Sequence, residues 1–455
     1  MQGDDKLKGT LIEELVLFTG IVKWLLLATM AGVIVGLATS GFLKLLMISI
    51  DSTEKYNYIY LMLPLALFVS AILIKYLAPE AEGHGTEKVI EAVHRRAGKI
   101  PFMVVPVKLI ATIVTLAIGG SVGKEGPCAQ IGAGISSLCA DLFKFDAADR
   151  KKLVICGISA GFASVFGTPL AGAMFGVEVL FIGTILYDVL LPSFIAGITS
   201  YHVSVALGIT YFRHPVIVTP VFSEFFFLKV VLAGIFFGIC SLVLIEAMDI
   251  GKNLSDRFKI WQPLKGVIGG ILLIFLTLVS SREYLGLGLN TIESCLNGSG
   301  MPWYAFLLKS AFTSITLNSC GSGGIVTPIF FIGATSGTLF AHLLGLDIAT
   351  FAAIGLVSVL AGAANTPIAA CIMSIELYGP ELAPYASVAC VISFLMSGYR
   401  SVYPTQILSM SKDPALQAEI GGEIRNIRFG FSPRKSLTLY LFELLRSVFS
   451  KISRN

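Results

Sequence analysis

Charge is scarce in this chain. Only 14% of its 455 residues are Asp, Glu, Lys or Arg, while 55% are hydrophobic. A soluble domain carries about 25% charged residues, so there is too little charge here to clothe a soluble globule of this length. The mean hydropathy of +0.82 agrees. Soluble-enzyme readings fall away, and so does nucleic-acid binding, because the net charge of +4 is thinly spread and no basic patch interleaved with aromatics is present. Paired cysteines are missing too. The eight cysteines lie mostly inside apolar runs, with no CxxC pair and no Cys/His metal spacing; they read as free thiols at helix interfaces, and no metal or other cofactor is expected. The start, MQGDDKLKGTLIEEL, is too acidic and too long before its apolar run for a cleaved signal peptide.

What is present is apolar sequence in pieces of uneven length. A bilayer crossing needs ~20 apolar residues. The stretches 152–211 and 216–248 are too long for one straight crossing, and 127–143 and 382–398 are short for one. Both departures point to tilted, broken or re-entrant helices, and the 46 glycines permit close packing and non-helical breaks. The expectation is an all-α polytopic membrane protein held in a lipid bilayer. Lys and Arg cluster at both ends and in the loops carrying Arg95, Arg96, Lys99, Arg150, Lys151 and Lys152. The positive-inside rule then places both termini in the cytoplasm of a multi-pass membrane protein.

An internal repeat organises the chain. PVKLIATIVTLAIGGSVGKEGPCAQIGA (106–133) matches FLLKSAFTSITLNSCGSGGIVTPIFFIGA (306–334). At a shift of 201, Lys108 falls on Lys309, Thr112 on Thr313, Thr115 on Thr316, Gly123 on Gly324 and Pro127 on Pro328. At a shift of 198, Thr168-Pro169 falls on Thr366-Pro367 and Glu178 on Glu376. The expected division is a first membrane repeat over 1–215, a second over 216–411, and a short cytoplasmic tail over 412–455 with an amphipathic helix at 436–452. Two similar halves with Gly/Pro-interrupted apolar segments at matching places are the pattern of a secondary transporter. Its substrate binds near the midplane, where broken helices of both halves meet; that logic makes the repeat inverted.

Four motifs carry the candidate chemistry. In Gly123-Lys124-Glu125-Gly126-Pro127, Gly and Pro break an apolar helix and start the next. The bare N–H groups and positive dipole end at such a start attract an anion, and Glu125 sits where that anion would bind. A carboxylate in the membrane costs at least ~2.5–3.5 kcal/mol, so Glu125 is read as part of an ion path; the plain alternative is a carboxylate capping its own helix or paired with Lys124. Gly323-Gly324-Ile325-Val326-Thr327-Pro328 offers a second helix start at the matching place, with N–H groups near Ile325 and Val326. The Thr327 hydroxyl faces the ion or caps the helix. Gly83-His84-Gly85-Thr86 suggests a third bare helix end, where His84 or Thr86 donates to an anion or His84 faces solvent or protein. Tyr403, in GYRSVYPTQIL, precedes a proline and can aim its hydroxyl inward or serve as an interfacial aromatic. Gly157-Ile158-Ser159-Ala160-Gly161 matches a hydrolase elbow, but it lies in an apolar helical run with no strand before it and no His partner. It reads as helix packing, and no enzyme activity is expected.

GKEGPxxQIGA, GGIVTPIFFIGA, PEAEGHG and SVYPTQIL resemble, in that order and spacing, the CLC anion channels and transporters, over about residues 30 to 410. The resemblance implies a fold of about eighteen tilted or broken helices in two inverted repeats, and a homodimer with one pore per subunit. It implies that Glu125 is the external gating and proton-transfer carboxylate and Tyr403 the inner anion-coordinating tyrosine. The departures are His84 where chloride-type members have serine, Glu87 where they have proline, and Val326 and Thr327 where they have phenylalanine and often alanine. Val179 stands where bacterial chloride/proton exchangers carry an internal proton-transfer glutamate, with Glu178 beside it. Together these resemble the fluoride/proton antiporter branch, although the methionine common there near the lost serine is absent. The expected function is fluoride export in exchange for protons. A chloride/proton exchanger of the same fold and a passive anion channel are the alternatives.

Overall fold

The structure is a computed structural model, and it describes residues 2–211, 223–431 and 439–440. The junction expected at 215/216 and the amphipathic helix expected at 436–452 lie outside the described residues, apart from residues 439–440. Sixteen α-helices are present among the described residues. Eight lie in the first half: α1 Gln2–Glu54, α2 Leu63–Leu77, α3 Thr86–Arg95, α4 Val104–Ala117, α5 Glu125–Leu142, α6 Ala147–Phe166, α7 Pro169–Glu178 and α8 Tyr187–Ala206. Eight follow in the second: α9 Glu224–Arg257, α10 Gln262–Val279, α11 Leu289–Leu296, α12 Ala305–Asn318, α13 Val326–Leu344, α14 Ile348–Ala364, α15 Pro367–Tyr378 and α16 Ala383–Met396. Six of the described helices are long and apolar enough to cross a bilayer. The rest are shorter or, like α5 and α6, less apolar.

The breaks follow from local sequence, and they fall at the same place in each half. Helix α6 stops at Gly167 and α14 at Asn365, each in the left-handed conformation (φ 69° and 55°). Gly adopts it freely and Asn tolerates it. Thr168-Pro169 and Thr366-Pro367 then start α7 and α15 with proline in the first turn. Helices α4 and α12 end likewise, through Gly119 (φ 105°) and Cys320 (φ 65°), before extended segments that lead to α5 and α13.

The halves are sewn together by contacts that come in exchanged pairs. Ser121 N–H donates to Thr316 Oγ1 (3.2 Å), and Ser322 N–H donates to Thr115 Oγ1 (3.1 Å). Glu178 accepts from the Ile368 and Ala369 amides at the start of α15 (3.0 and 2.8 Å), while Glu376 accepts from Leu170 and Ala171 at the start of α7 (3.0 and 2.8 Å). Every member maps onto its counterpart at 201 or 198, so the two repeats are related by a pseudo-two-fold axis. Each half closes helix ends that the other leaves open.

Small residues let the central helices touch. Gly132 of α5 lies on Gly157 of α6, and Gly333 of α13 lies on Gly355 of α14. Gly161 packs on the backbone of Cys128 and Ala129, so the GISAG run is a packing stripe. All eight cysteines are free thiols, and every one but the half-buried Cys371 is buried. After α16 the chain returns through a parallel pairing of Ile407–Leu408 with Phe181–Ile182 and a hairpin of Leu416–Ala418 with Phe429–Phe431. This segment is tied to α3 by the Arg95–Glu423 ion pair (2.7 Å).

A methyl group on Gly333 would lie 2.5 Å from the Gly355 oxygen, and one on Gly157 at 2.5 Å from the Gly132 oxygen. Gly333→Ala and Gly157→Ala are therefore expected to cost about 1–3 kcal/mol each, read as a lower melting midpoint in detergent. Gly300→Ala, with nothing within 4 Å, should leave it unchanged.

Candidate functional site

The pseudo-two-fold passes through the two glycines that the repeat superposes. Gly123 and Gly324 form an antiparallel bridge, each N–H donating to the other's carbonyl at 2.6 Å. Helices α5 and α13 begin within two residues of this bridge and run away from it. Only glycine allows the approach: a methyl on Gly324 would sit 2.7 Å from the Gly126 nitrogen and 2.8 Å from the Glu125 Cδ.

Glu125, 1% exposed, reaches across the bridge to the start of α13. Its Oε1 accepts from the Thr327 N–H at 3.0 Å and its Oε2 accepts from the Thr327 hydroxyl at 2.7 Å. The carboxylate thus caps a helix, but the helix of the other half. No ion pair joins it to Lys124, which lines a cavity instead. The donor amide is that of Thr327, one residue further into α13 than the Ile325 and Val326 groups named from sequence. The Thr327 hydroxyl donates to the Glu125 carboxylate.

The third loop lies against the same point. Gly85 (φ 86°) packs so closely on α5 that a methyl there would be 2.6 Å from the Gly126 oxygen. This places His84 and Thr86 beside Glu125 and Gly126. Tyr403 completes the group. It is fully buried, its ring centroid is 5.3 Å from that of His84, and Thr86 lies beside its phenol. Neither the Tyr403 hydroxyl nor His84 Nδ1 makes a hydrogen bond of acceptable geometry. Two buried polar atoms that lack partners, converging on a helix-start carboxylate, are what a small polar guest would satisfy. The structure thus brings together all four motifs.

Sequence reasoning missed two buried lysines. Lys108 donates to the carbonyls of Ala81 (3.1 Å) and Gly83 (2.5 Å), and Lys309 donates to those of Tyr284 (3.1 Å) and Gly286 (2.8 Å). Both are fully buried. They brace the loops before α3 and α11 in the same way. A lysine repeated inside two matching apolar segments was the available signal.

Two cavities approach the bridge. One, of about 480 Å3, is lined by Lys124, Arg282 and Gly286 among others; the second, of about 460 Å3, by His84, Glu87 and Lys252 among others. They are repeat equivalents: Met47, Asp51, Leu116 and Gly119 line the first, and their counterparts Met248, Lys252, Leu317 and Cys320 line the second.

A family model described as voltage gated chloride channel matches residues 65–398. The chain belongs to the CLC family. It is 37% identical over 409 residues, 88% of this chain and 90% of the relative, to a chloride/fluoride channel protein of Pseudomonas syringae pv. tomato. It is 26% identical over 389 residues to the H(+)/Cl(-) exchange transporter ClcA of Klebsiella pneumoniae, covering 78% of this chain and 80% of that one. A crystal structure of a CLC-type fluoride/proton antiporter superposes with a TM-score of 0.81 at 29% identity, covering 85% of this chain and 98% of that one. A slow cyanobacterial Cl-/H+ antiporter superposes at 0.72 with 21% identity, over 82% and 94% of the two chains, and shares the fold.

If the start of α13 is an anion site that Glu125 occupies as a tethered competitor, Glu125→Ala binds fluoride more tightly than wild type. Adding Thr327→Val then weakens that binding by about 1.5–3 kcal/mol, the worth of a hydrogen bond to a charged group. Isothermal titration in detergent reads both. Equal affinity in the single and double variants puts the ion elsewhere.

Proposed function

We propose that this CLC protein is a proton-coupled anion antiporter that exports fluoride from a bacterial cytoplasm, with Glu125 as both gate and proton carrier. One observation carries the reading: the Glu125 carboxylate accepts an amide and a hydroxyl hydrogen bond at the helix start of the opposite half, between two equivalent vestibules. An incoming anion competes with it for the same donors. Protonation removes the charge and half of the acceptor character of the carboxylate, so a protonated Glu125 yields the site. Anion entry and proton uptake become two sides of one event.

Fluoride suits these donors. It is small, strongly hydrated and a strong acceptor, and to leave water it needs short N–H and O–H contacts in exchange. Thr327 supplies one of each, and the unpartnered Tyr403 hydroxyl supplies another. Protonated Glu125 can itself donate to fluoride, so that both ions ride on one side chain. The names of the Pseudomonas relative and of the superposed antiporter favour fluoride; the ClcA relatives favour the rival, a chloride/proton exchanger. A passive anion channel is the remaining alternative, since a channel can keep the glutamate. The family supports a homodimer with one pore per subunit. Basic residues around the second cavity, Lys88, Lys252, Lys265 and Arg425, support a cytoplasmic C-terminal face.

In proteoliposomes, a pH gradient should drive fluoride uphill in wild type, with chloride moved more slowly. Glu125→Gln should abolish the uphill movement. A Gln variant that still concentrated fluoride on a pH gradient would rule out the carboxylate as carrier, and a reversal potential that follows the anion gradient alone would make the protein a channel.

A further inference from the structure

A proton that Glu125 exchanges must also reach the other face of the membrane, and the α7 segment offers no group for it. Val179 is fully buried and apolar, and its carbonyl already accepts from Gln406 Nε2 at 2.8 Å. Neighbouring Glu178 spends both carboxylate oxygens on the amides of Ile368 and Ala369. The second cavity holds a different carboxylate. Glu87, the second residue of α3, lines it next to His84. Glu87 Oε2 is closed off from solvent and makes no hydrogen bond.

The surroundings of Glu87 are mixed in charge. Lys252 from α9 and Arg425 from the returning segment face it, with Thr405 beside its carboxylate. Glu82, Lys88, Glu91, Asp249, Asp256 and Lys265 line the rest of the cavity. None of these forms an ion pair with Glu87; Lys88 pairs with Glu91, and Arg425 with Glu423. Helix α3 is not among the apolar spans. Burial pushes the Glu87 carboxyl up to about 7, against Thr405, Lys252 and Arg425, which pull it down. Thr86, next to Glu87 in the chain, and Tyr403 are both buried, and the Tyr403 hydroxyl is within electrostatic reach of Glu87 and of Glu125.

We propose that Glu87 is the proton port on the C-terminal face of the anion path. The Glu87 carboxylate takes a proton from water in the 460 Å3 cavity. It returns that proton by way of the Thr86 and Tyr403 hydroxyls to the Glu125 carboxylate, which becomes neutral as Glu87 becomes charged. In export the same steps run in reverse. Nothing is oxidised or reduced, and each cycle restores both groups. The bland reading is that an acid in the first turn of α3 simply complements the helix dipole. That role predicts a loss of stability and no change in coupling.

The proposal rests on proton-coupled exchange, so fluoride and proton fluxes are recorded together in proteoliposomes. Wild type should show proton movement against fluoride, with a dependence on C-terminal-face pH centred near 7. Glu87→Gln should lower proton flux roughly a hundred-fold, the scale of a lost general acid–base group, with fluoride affinity by calorimetry unchanged. Glu87→Asp should restore most of the flux. A Gln variant with wild-type proton flux and pH profile overturns the port. So does one in which flux, affinity and melting midpoint fall together without rescue by Asp. Should the Gln variant fail to fold, Glu87→Asp still decides: a more acidic profile supports the port and an unmoved one overturns it. A wild type that moves fluoride with no proton movement sinks the antiport reading itself, and the port with it.

Discussion

A carboxylate seated on a helix that belongs to the other half of the molecule is the interaction on which the rest of this structure depends. Burying a charged carboxylate is costly, and the cost is offset here by an amide, a hydroxyl and the positive end of α13. The surrounding architecture keeps that helix start bare and within reach. Gly123 and Gly324 bring the halves into backbone contact, and the lack of a side chain at Gly324 leaves room for the carboxylate. In the proposed mechanism the arrangement is a competition held near balance. If the tether were held much more strongly, no ion would displace it; if it were weaker, the path would stand open and ions would leak rather than exchange.

Symmetry builds this scaffold and its failure makes the scaffold work. Serine amides meet threonine hydroxyls, glutamates close opposite helix starts, and lysines brace matching loops, all in exchanged pairs. The starts of α7 and α15 are each closed by a glutamate of the other half, so the two copies support each other. The reacting groups break the pattern. At the shift that superposes the glycines, Glu125 falls on Val326 and Gly126 on Thr327; in the adjoining loop, where the lysine-braced carbonyls correspond at a shift of 203, His84 falls on Leu287 and Glu87 on Asn290. One carboxylate therefore serves one helix start, and its mirror position is apolar. A fully symmetric site would hold two competing carboxylates and leave no vacancy for an anion.

The fold was legible because helix breaks leave chemical traces. Gly-Thr-Pro and Asn-Thr-Pro stop one helix and start the next for reasons of backbone geometry alone, and the two repeats show this without any tertiary information. The site was legible to the level of the loop. His84, Thr86, Glu125, Thr327 and Tyr403 do converge, while the hydrogen bond from the Thr327 amide to Glu125 was hidden, because the partner of a helix start depends on how far the opposite side chain reaches across. The lysines were visible as matches at 201 residues, yet what Lys108 and Lys309 do was hidden. Their acceptors are carbonyls of loops more than twenty residues away, and a carbonyl has no sequence signature. Glu178 looked like a bystander to Val179, and its work as a cap for α15 appears only once the halves are packed.

The lysines also bear on why no cation touches the Glu125 carboxylate at the start of α13. Lys108 and Lys309 each direct two N–H groups at backbone carbonyls, and Lys124 lines a vestibule without pairing to Glu125. An ammonium at these positions acts at a distance, because the Coulomb energy falls only as the inverse of distance and is weakly screened in the protein interior. Their hydrogen bonds are spent elsewhere. An ammonium in direct contact with fluoride would hold it as an ion pair with little solvent to help it leave. Neutral amides and hydroxyls replace the lost hydration shell in steps a protonated carboxylate can match, while buried charge at one remove biases the path toward anions. In the proposed mechanism field and ligand come from different residues, and that separation lets the ion enter favourably and still depart.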